Sequence, residues 1–328
     1  MHDSRDTDDE LLERLFRALG PQPALPDEMK RNWAETFGRE LANRNAARRR
    51  RRGWIVATAT AAAVLVAVAV GSLLRAPTPT AAVATVVMAS GPIEATVSGS
   101  ASVRLVTGGA VASGARISTG PDARLALRYR ATDLRVDANT VVVAQSTRLQ
   151  LRRGAVYVDS GPRPTRGPSL TIETPFGTLG HIGTQFMVIV TDHDMRAAVR
   201  EGSIAMDAAG ERRTISAVDG ARQATVTADG ITVSSIAATA GPWAWVAAAA
   251  PAYPIDGASA DAFLRWAARQ LGSELRYADT ATATHARLVT LHGDVNATVA
   301  QGLAIVDGTT DLAVDHSDPA VLAVHARR

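Results

Sequence analysis

Between Trp54 and Leu74 the chain reads WIVATATAAAVLVAVAVGSLL, an unbroken run without one charged side chain. Wound as a helix rising ~1.5 Å per residue, the run is long enough to cross a hydrocarbon layer ~30 Å thick. A buried core helix of this length carries a polar face. Here the polar side chains are Thr58, Thr60 and Ser72, which can bond back to their own helix backbone. A cleavable export signal places a shorter apolar stretch near the N-terminus, whereas residues 1–53 precede this one. A single uncleaved transmembrane helix over 54–74 is therefore expected.

The flanks set its orientation. Arg48 to Arg52 form an unbroken arginine run on the N-terminal side, and Arg75 alone follows before a long uncharged stretch. Basic flanks stay in the cytoplasm, which puts residues 1–53 inside and exports the rest, into the periplasm of a bacterium with two membranes. The chain has no Cys, so disulfides, thiolate catalysis and Cys metal sites are excluded. Its 35 basic residues against 32 acidic ones leave a net charge of +3, which gives no case for direct nucleic-acid binding.

Residues 1–53 predict two short helices. Leu11, Leu12, Leu15, Phe16 and Leu19 share one side of the first, which should stop at Gly20-Pro21. The second starts near Pro26 and carries Met29, Trp33, Phe37 and Leu41 along one stripe. Helices this short cannot bury such faces alone. They pair with each other, lie on the membrane, or are completed by a partner protein.

After the membrane run, residues 75–89 read as a Pro-stiffened linker through Pro77 and Pro79. From about Val83 to Ile236 short alternating runs are separated by Gly, Asp, Asn and Pro, among them Leu134 to Val136, Leu149 to Leu151, Ala155 to Val158, Phe186 to Thr191 and Ser203 to Met206. This pattern predicts an all-β domain over 90–237, solenoid-like or a flattened barrel. Residues 238–251, with Trp243 and Trp245, are too short to cross a membrane and read as a joint that docks two exported domains. Over 252–328 the rhythm becomes β-α-β-β-α-β closed by one more strand: strands at Tyr253 to Ile255, Glu274 to Tyr277, Leu288 to Leu291, Leu312 to Val314 and Val321 to Val324. A helix capped by Ser259 and ended by Gly272 lies among them, and so does one capped by Asn296 and ended by Gly308. The overall expectation is a multi-domain membrane protein: an α-helical cytoplasmic segment, one membrane helix, an all-β exported domain and a small α+β C-terminal domain.

Enzyme chemistry finds little footing. Lys30 is the only Lys, which rules out a Walker-type phosphate loop, and neither G-x-S-x-G nor H-E-x-x-H occurs. His292, His316 and His325 lie near Asp294, Asp315 and Asp318 in the last domain, but strand-edge histidines are a simpler reading than a metal site. No cofactor and no metal are expected.

The stretch TPFGTLGHIGTQFMVIVTDHDMRAAVREGSIAM, Thr174 to Met206, resembles the signature of the FecR-type transmembrane regulators, and GPDARLALRYRATDLRVDANTVV upstream resembles their paired strands. The motif positions are Thr174, Pro175 and Gly177 in a tight turn, Gly183 and Thr184 opening a strand with Phe186 inward, and Glu201-Gly202 as a hairpin turn. The runs LRWAARQLGSELRY and VTLHGDVNATVAQGLAIVDGTTDLAV resemble the short N-terminal domain of secretins and TonB-dependent receptors.

These resemblances imply an anti-sigma factor or sigma regulator in iron or siderophore uptake. Leu12, Leu15, Phe16, Leu19, Trp33 and Phe37 would bind an extracytoplasmic-function sigma factor. An outer-membrane TonB-dependent transducer would be the periplasmic partner, and periplasmic and intramembrane proteases would relay the signal. They also imply self-cleavage at Gly183-Thr184, where a Thr hydroxyl in a strained turn can attack the preceding carbonyl. A different class stays open: an envelope scaffold that binds a secretin, receptor or cell-wall polymer without sigma-factor control.

Overall fold

From Ala82 onward, small and branched apolar side chains alternate with polar ones, and a chain so patterned buries one face of a pleated strand. The computed structural model describes residues 14, 27–28, 81–97, 101–129, 132–161, 170–239, 241–293 and 296–327, with the backbone alone at 181–184. Arg14, Asp27 and Glu28 are helical. The expected sigma-binding positions Leu12, Leu15, Phe16, Leu19, Trp33 and Phe37 and the membrane run 54–74 lie outside the described residues. Among the described residues no helix is long and apolar enough to cross a membrane.

Among the described residues fifteen strands form one branched sheet: β1 (Ala82–Ser90), β2 (Ile93–Thr96), β3 (Val103–Arg104), β4 (Ala110–Ala112), β5 (Ala115–Thr119), β6 (Arg124–Tyr129), β7 (Thr132–Val136), β8 (Val141–Ala144), β9 (Arg148–Asp159), β10 (Thr171–Thr174), β11 (Gly177–Val190), β12 (Met195–Ala208), β13 (Glu211–Ser216), β14 (Arg222–Thr227) and β15 (Gly230–Ser235). The main path runs β15-β14-β12-β11-β10-β9-β7-β6-β1-β4, with β13 on β12 and a branch from β9 through β8 and β5 to β2 and β3. Pairing is antiparallel except between β9 and β10. The inward side chains, among them Leu125, Leu127, Leu134, Val156, Phe186, Val188 and Val199, make one continuous core.

β1 occupies the stretch read as linker 75–89 from Ala82 on, because Ala84 and Val86 are buried in that core once the Pro-Thr composition ends. Two glycines lie inside long strands, and one of them, Gly202, was expected in a hairpin turn. Gly202, at φ +77°, sits within β12 and stands opposite Thr184 where the β11–β12 register shifts, so Glu201-Gly202 is a bulge and not a hairpin turn. Gly154, at φ +95°, lies within β9, close to the register shift against β8. A bulge and a turn call for the same residue type, and alternation on both sides of the glycine is what separates them.

The C-terminal part departs further from expectation. After a 3₁₀ turn at Gly241–Trp243 and helix α1 (Ala244–Ala248), strand β16 (Tyr253–Pro254) leads to α2 (Ala260–Leu271). Ser259 Oγ accepts from the Ala262 N–H at the start of α2, and Gly272 ends it in the left-handed region at φ +75°. β17 (Glu274–Tyr277) is followed by a helix, α3 (Thr280–Leu288), where the sequence predicted no helix. Asp279 caps α3 at 2.6 Å from the Thr282 N–H, and small side chains, Thr282 and Ala286, supply its buried contacts. Without a stripe of large apolar residues no helical period was visible. The strand expected at Leu288–Leu291 is reduced to a single bridge between Thr290 and Ser259.

β18 (Asn296–Ala297) pairs with β16, and α4 (Val299–Thr309) follows, capped by Thr298 in a capping box with Gln301. Asn296 is therefore a strand residue and not the cap, and Gly308 lies inside the helix. β19 (Leu312–Asp315) and β20 (Val321–Ala326) complete a three-stranded sheet in the order β17-β20-β19. The expected β-α-β-β-α-β order is thus replaced by two small sheets with α2, α3 and α4. Their core centres on Phe263, whose ring meets Tyr253 at 5.6 Å and Trp266 at 5.7 Å between centroids.

Candidate functional site

Strand alternation gives the sheet a second, outer face, and on four neighbouring strands that face is covered. In β12, β11, β9 and β7 the inward residues are Val199, Phe186, Val158 and Leu134, so their neighbours Arg200, Gln185, Asp159 and Arg135 face the other way. Register places Ala198, Met187, Tyr157 and Arg135 in one row across the strands and Glu201, Gln185, Asp159 and Asp133 in the next. The first row is largely apolar and meets Trp243 and Val246. The Trp243 ring stands edge-on to Tyr157 at 6.4 Å, and its indole N–H donates to the Ala237 carbonyl at 3.0 Å.

The second row is polar and meets the C-terminal end of α2. Arg269 Nη2 and Nε donate to the two carboxylate oxygens of Asp159 at 2.6 Å and 3.1 Å, and Arg269 Nη1 donates to Glu201 at 2.5 Å. Gln185 donates to the Asp159 carboxylate at 3.1 Å and accepts from Arg200 Nε at 2.6 Å. Arg200 Nη2 donates to the Tyr157 hydroxyl at 3.0 Å and to the carbonyls of Arg269 and Gln270 at 3.0 Å and 3.3 Å. Those carbonyls belong to the last turn of α2, which has no intrahelical donor for them and carries the negative end of the helix dipole.

Arg135 is the most buried of the three arginines, 2% exposed. Its guanidinium sits over the Tyr157 ring at 5.0 Å from the centroid, donates to the Val246 carbonyl at 2.7 Å and to the Gln270 side-chain oxygen. Burial lowers its pKa, opposed by Tyr157, Asp159 and Asp133. The result is a joint in which three arginines tie the sheet, the segment around Trp243 and α2 together.

Charge at the joint has a direction. Burial alone would raise the Asp159 carboxyl, but the Arg269 hydrogen bond and charge, the Gly161 N–H and the Gln185 amide outweigh it and hold the pKa below the usual carboxylate value. A carboxyl depressed in the folded state contributes stability above its unfolded pKa of ~3.9 and loses that contribution as pH falls through the folded value. The thermal midpoint is therefore expected to be flat in this term from neutrality to about pH 5 and to fall below about pH 4. The acid-side fall should be shallower in Asp159→Asn. Scanning calorimetry of both proteins across that range checks it.

The motif residues expected from sequence between Thr174 and Gly202 fall into two places. Thr174, Pro175 and Gly177 form the hairpin between β10 and β11, with the Phe176 N–H donating to Thr174 Oγ1 at 3.1 Å and Thr174 Oγ1 donating to the Gly177 carbonyl at 2.9 Å. Phe186 is fully buried. Thr184 pairs through its backbone with Gly202, and Gln185 with Glu201, so the Gly183-Thr184 bond and Glu201-Gly202 meet at one bulge beside the joint. The turn at Thr174 lies at the far end of the same strand pair, opposite Ala208. Arg135, Tyr157, Asp159, Gln185, Arg200 and Arg269 carried no signal beyond alternation: a charged residue between two apolar ones reads as solvent-facing unless the covering element is known. Among the described residues no group of three His, Asp or Glu side chains stands close enough to hold a metal ion.

Residues 115–205 match the family model described as FecR protein. That span runs from β5 into β12 and contains the sheet side of the joint. Two crystal structures of a candidate anti-sigma factor from Parabacteroides distasonis ATCC 8503, at 2.50 Å and 1.65 Å resolution, align at 13% and 14% identity. Each alignment covers 65% of this chain and 99% of the other at a TM-score of 0.33, a likeness too slight to bear on fold or role. A comparison with curated proteins finds no match. The motif from Thr174 to Met206 and the family match over 115–205 coincide on the same strands, so the likeness to FecR protein lies in the β domain of this chain.

Proposed function

We propose that the chain is a single-pass inner-membrane regulator of an extracytoplasmic-function sigma factor. The observation that carries this reading is the FecR match over residues 115–205, placed after an uncharged run and an arginine flank. Residues 1–53 hold the sigma factor through the apolar stripes around Leu15, Phe16, Trp33 and Phe37, and residues 54–74 anchor the chain. The exported part receives the stimulus, and an outer-membrane TonB-dependent transducer is the partner that fits the C-terminal resemblance. Signal passes by periplasmic and then intramembrane proteolysis, for which the alanine-rich helix with Gly71-Ser72 near its exported end is suited. No cofactor takes part, and the covalent step assigned to the chain itself is self-cleavage. Deleting the coding sequence should shift transcription of one sigma-dependent promoter set. An unchanged transcript profile under inducing and non-inducing conditions would contradict the proposal.

The bond proposed to break is Gly183-Thr184. Attack of the Thr184 hydroxyl on the Gly183 carbonyl turns the amide into an ester and frees the Thr184 amine. Water then opens the ester, leaving a Gly183 carboxylate and restoring the hydroxyl. Continuous pairing of β11 with β12 on both sides of the bulge would hold the two pieces together. Denaturing electrophoresis should show two fragments from wild type and one band from Thr184→Ala. A single full-length band from both would rule the step out.

A further inference from the structure

Among the described residues the sheet core and the C-terminal core share no side chain, and Tyr157, Met187, Ala198, Trp243 and Val246 form a small separate cluster. The hydrogen bonds that reach α2 from the sheet include Arg269 to Asp159 and Glu201, Arg200 to the carbonyls of residues 269 and 270, and Arg135 to Gln270, beside the packing of α1 on α2. A cleft of about 540 Å³, lined by Gln185, Arg200, Glu201, Arg265, Arg269 and Gly272 among others, opens beside these contacts. Arg200 Nη1 is buried in the joint without a hydrogen-bond partner among the described residues. A contact built from ion pairs beside an open cleft, with that donor and Arg135 Nε both buried and unused, is held less firmly than either core.

We infer that α2 docks on the sheet as a reversible latch, with Arg269 as its catch, and that release of the latch loosens β11 around residues 181–185. Arg269 bridges the two strands that flank β11, holding Asp159 at the end of β9 and Glu201 at the bulge of β12. Gln185, held between Asp159 and Arg200, follows residues 181–184 directly. Undocking α2 removes the bridge on both sides of β11 and takes away the carbonyls that orient Arg200. Any partner that turns the C-terminal part relative to the sheet thereby acts on the strand segment carrying Gly183 and Thr184. This coupling does not depend on the sigma-factor reading, since it concerns the exported part alone.

Hydrogen–deuterium exchange on the full-length chain tests it, comparing wild type with Arg269→Ala, Arg269→Lys and Arg265→Ala. Arg265 pairs with Asp261 on its own helix and serves as the control. Arg269→Ala is expected to speed exchange over residues 181–188 by at least about tenfold, while residues 115–127 in the sheet and 312–326 in the C-terminal sheet keep wild-type rates. Arg269→Lys, which keeps the charge but loses the two-pronged geometry, should fall between, and Arg265→Ala should match wild type. Unchanged exchange at 181–188 in Arg269→Ala would overturn the coupling. Faster exchange everywhere, or loss of both cores, would overturn the latch by showing that Arg269 supports the fold as a whole.

Discussion

Replacing Arg135 with Ala is expected to lower the unfolding free energy by roughly 3–5 kcal/mol, the range for removing one partner from a buried charged network. The guanidinium is nearly inaccessible, covers the Tyr157 ring and satisfies the Val246 carbonyl and the Gln270 side chain. Truncation leaves both acceptors buried without their donor and leaves Asp159 and Asp133 with one fewer neighbouring cation. It also opens a void between Tyr157 and the segment around Val246. Arg135→Met, which fills the void but donates nothing, should recover the packing part only. Urea unfolding of the three proteins separates the contributions: a loss under about 1 kcal/mol in Arg135→Ala would mean that the joint is solvated and not closed.

The second large effect is expected at Gly154. An added Cβ there would lie 2.2 Å from Thr140 Oγ1 and 2.6 Å from the Thr140 Cα, and φ is +95°. The backbone of Thr140 cannot yield cheaply, since Thr140 Oγ1 accepts from the Ala155 N–H at 3.0 Å and the Thr140 N–H donates to Thr119 Oγ1 at 2.9 Å. Gly154→Ala combines steric overlap with a strained backbone and should cost roughly 3 kcal/mol. Gly108, equally positive in φ but with nothing near its would-be Cβ, is the comparison, and Gly108→Ala should cost only about 1 kcal/mol. Equal midpoint shifts in thermal unfolding would show that φ alone, and not the approach of β9 to Thr140, sets the price.

Much of the sheet was legible because alternation is a direct consequence of the pleat. Phe186, Val188 and Val190 read as one buried face and are buried. Helix α2 was legible from Ser259 and Gly272, whose capping chemistry is local. What escaped was non-local or masked by small residues. Gly154 and Gly202 look the same in sequence whether they end a strand or bulge it, and only the partner strand decides. Helix α3 buries Thr282 and Ala286, too small to print an apolar period, and Leu288, read as a strand residue, is 75% exposed at its end. The joint was the least legible element. Asp159, Arg200 and Arg269 are ordinary surface residues by sequence, and their burial depends on α2 returning to a sheet face more than sixty residues upstream, which no local pattern encodes.

What residues 1–53 bind decides the proposed function. Purifying the full-length chain from detergent-solubilised membranes of its own host, beside a chain lacking residues 1–53 and one with Leu15, Phe16, Trp33 and Phe37 changed to Ala, tests it directly by mass spectrometry of what each retains. An extracytoplasmic-function sigma factor retained by the full-length chain and lost from both variants is the predicted result. A full-length chain that retains no sigma factor, or retains as much without residues 1–53 as with them, would contradict the account.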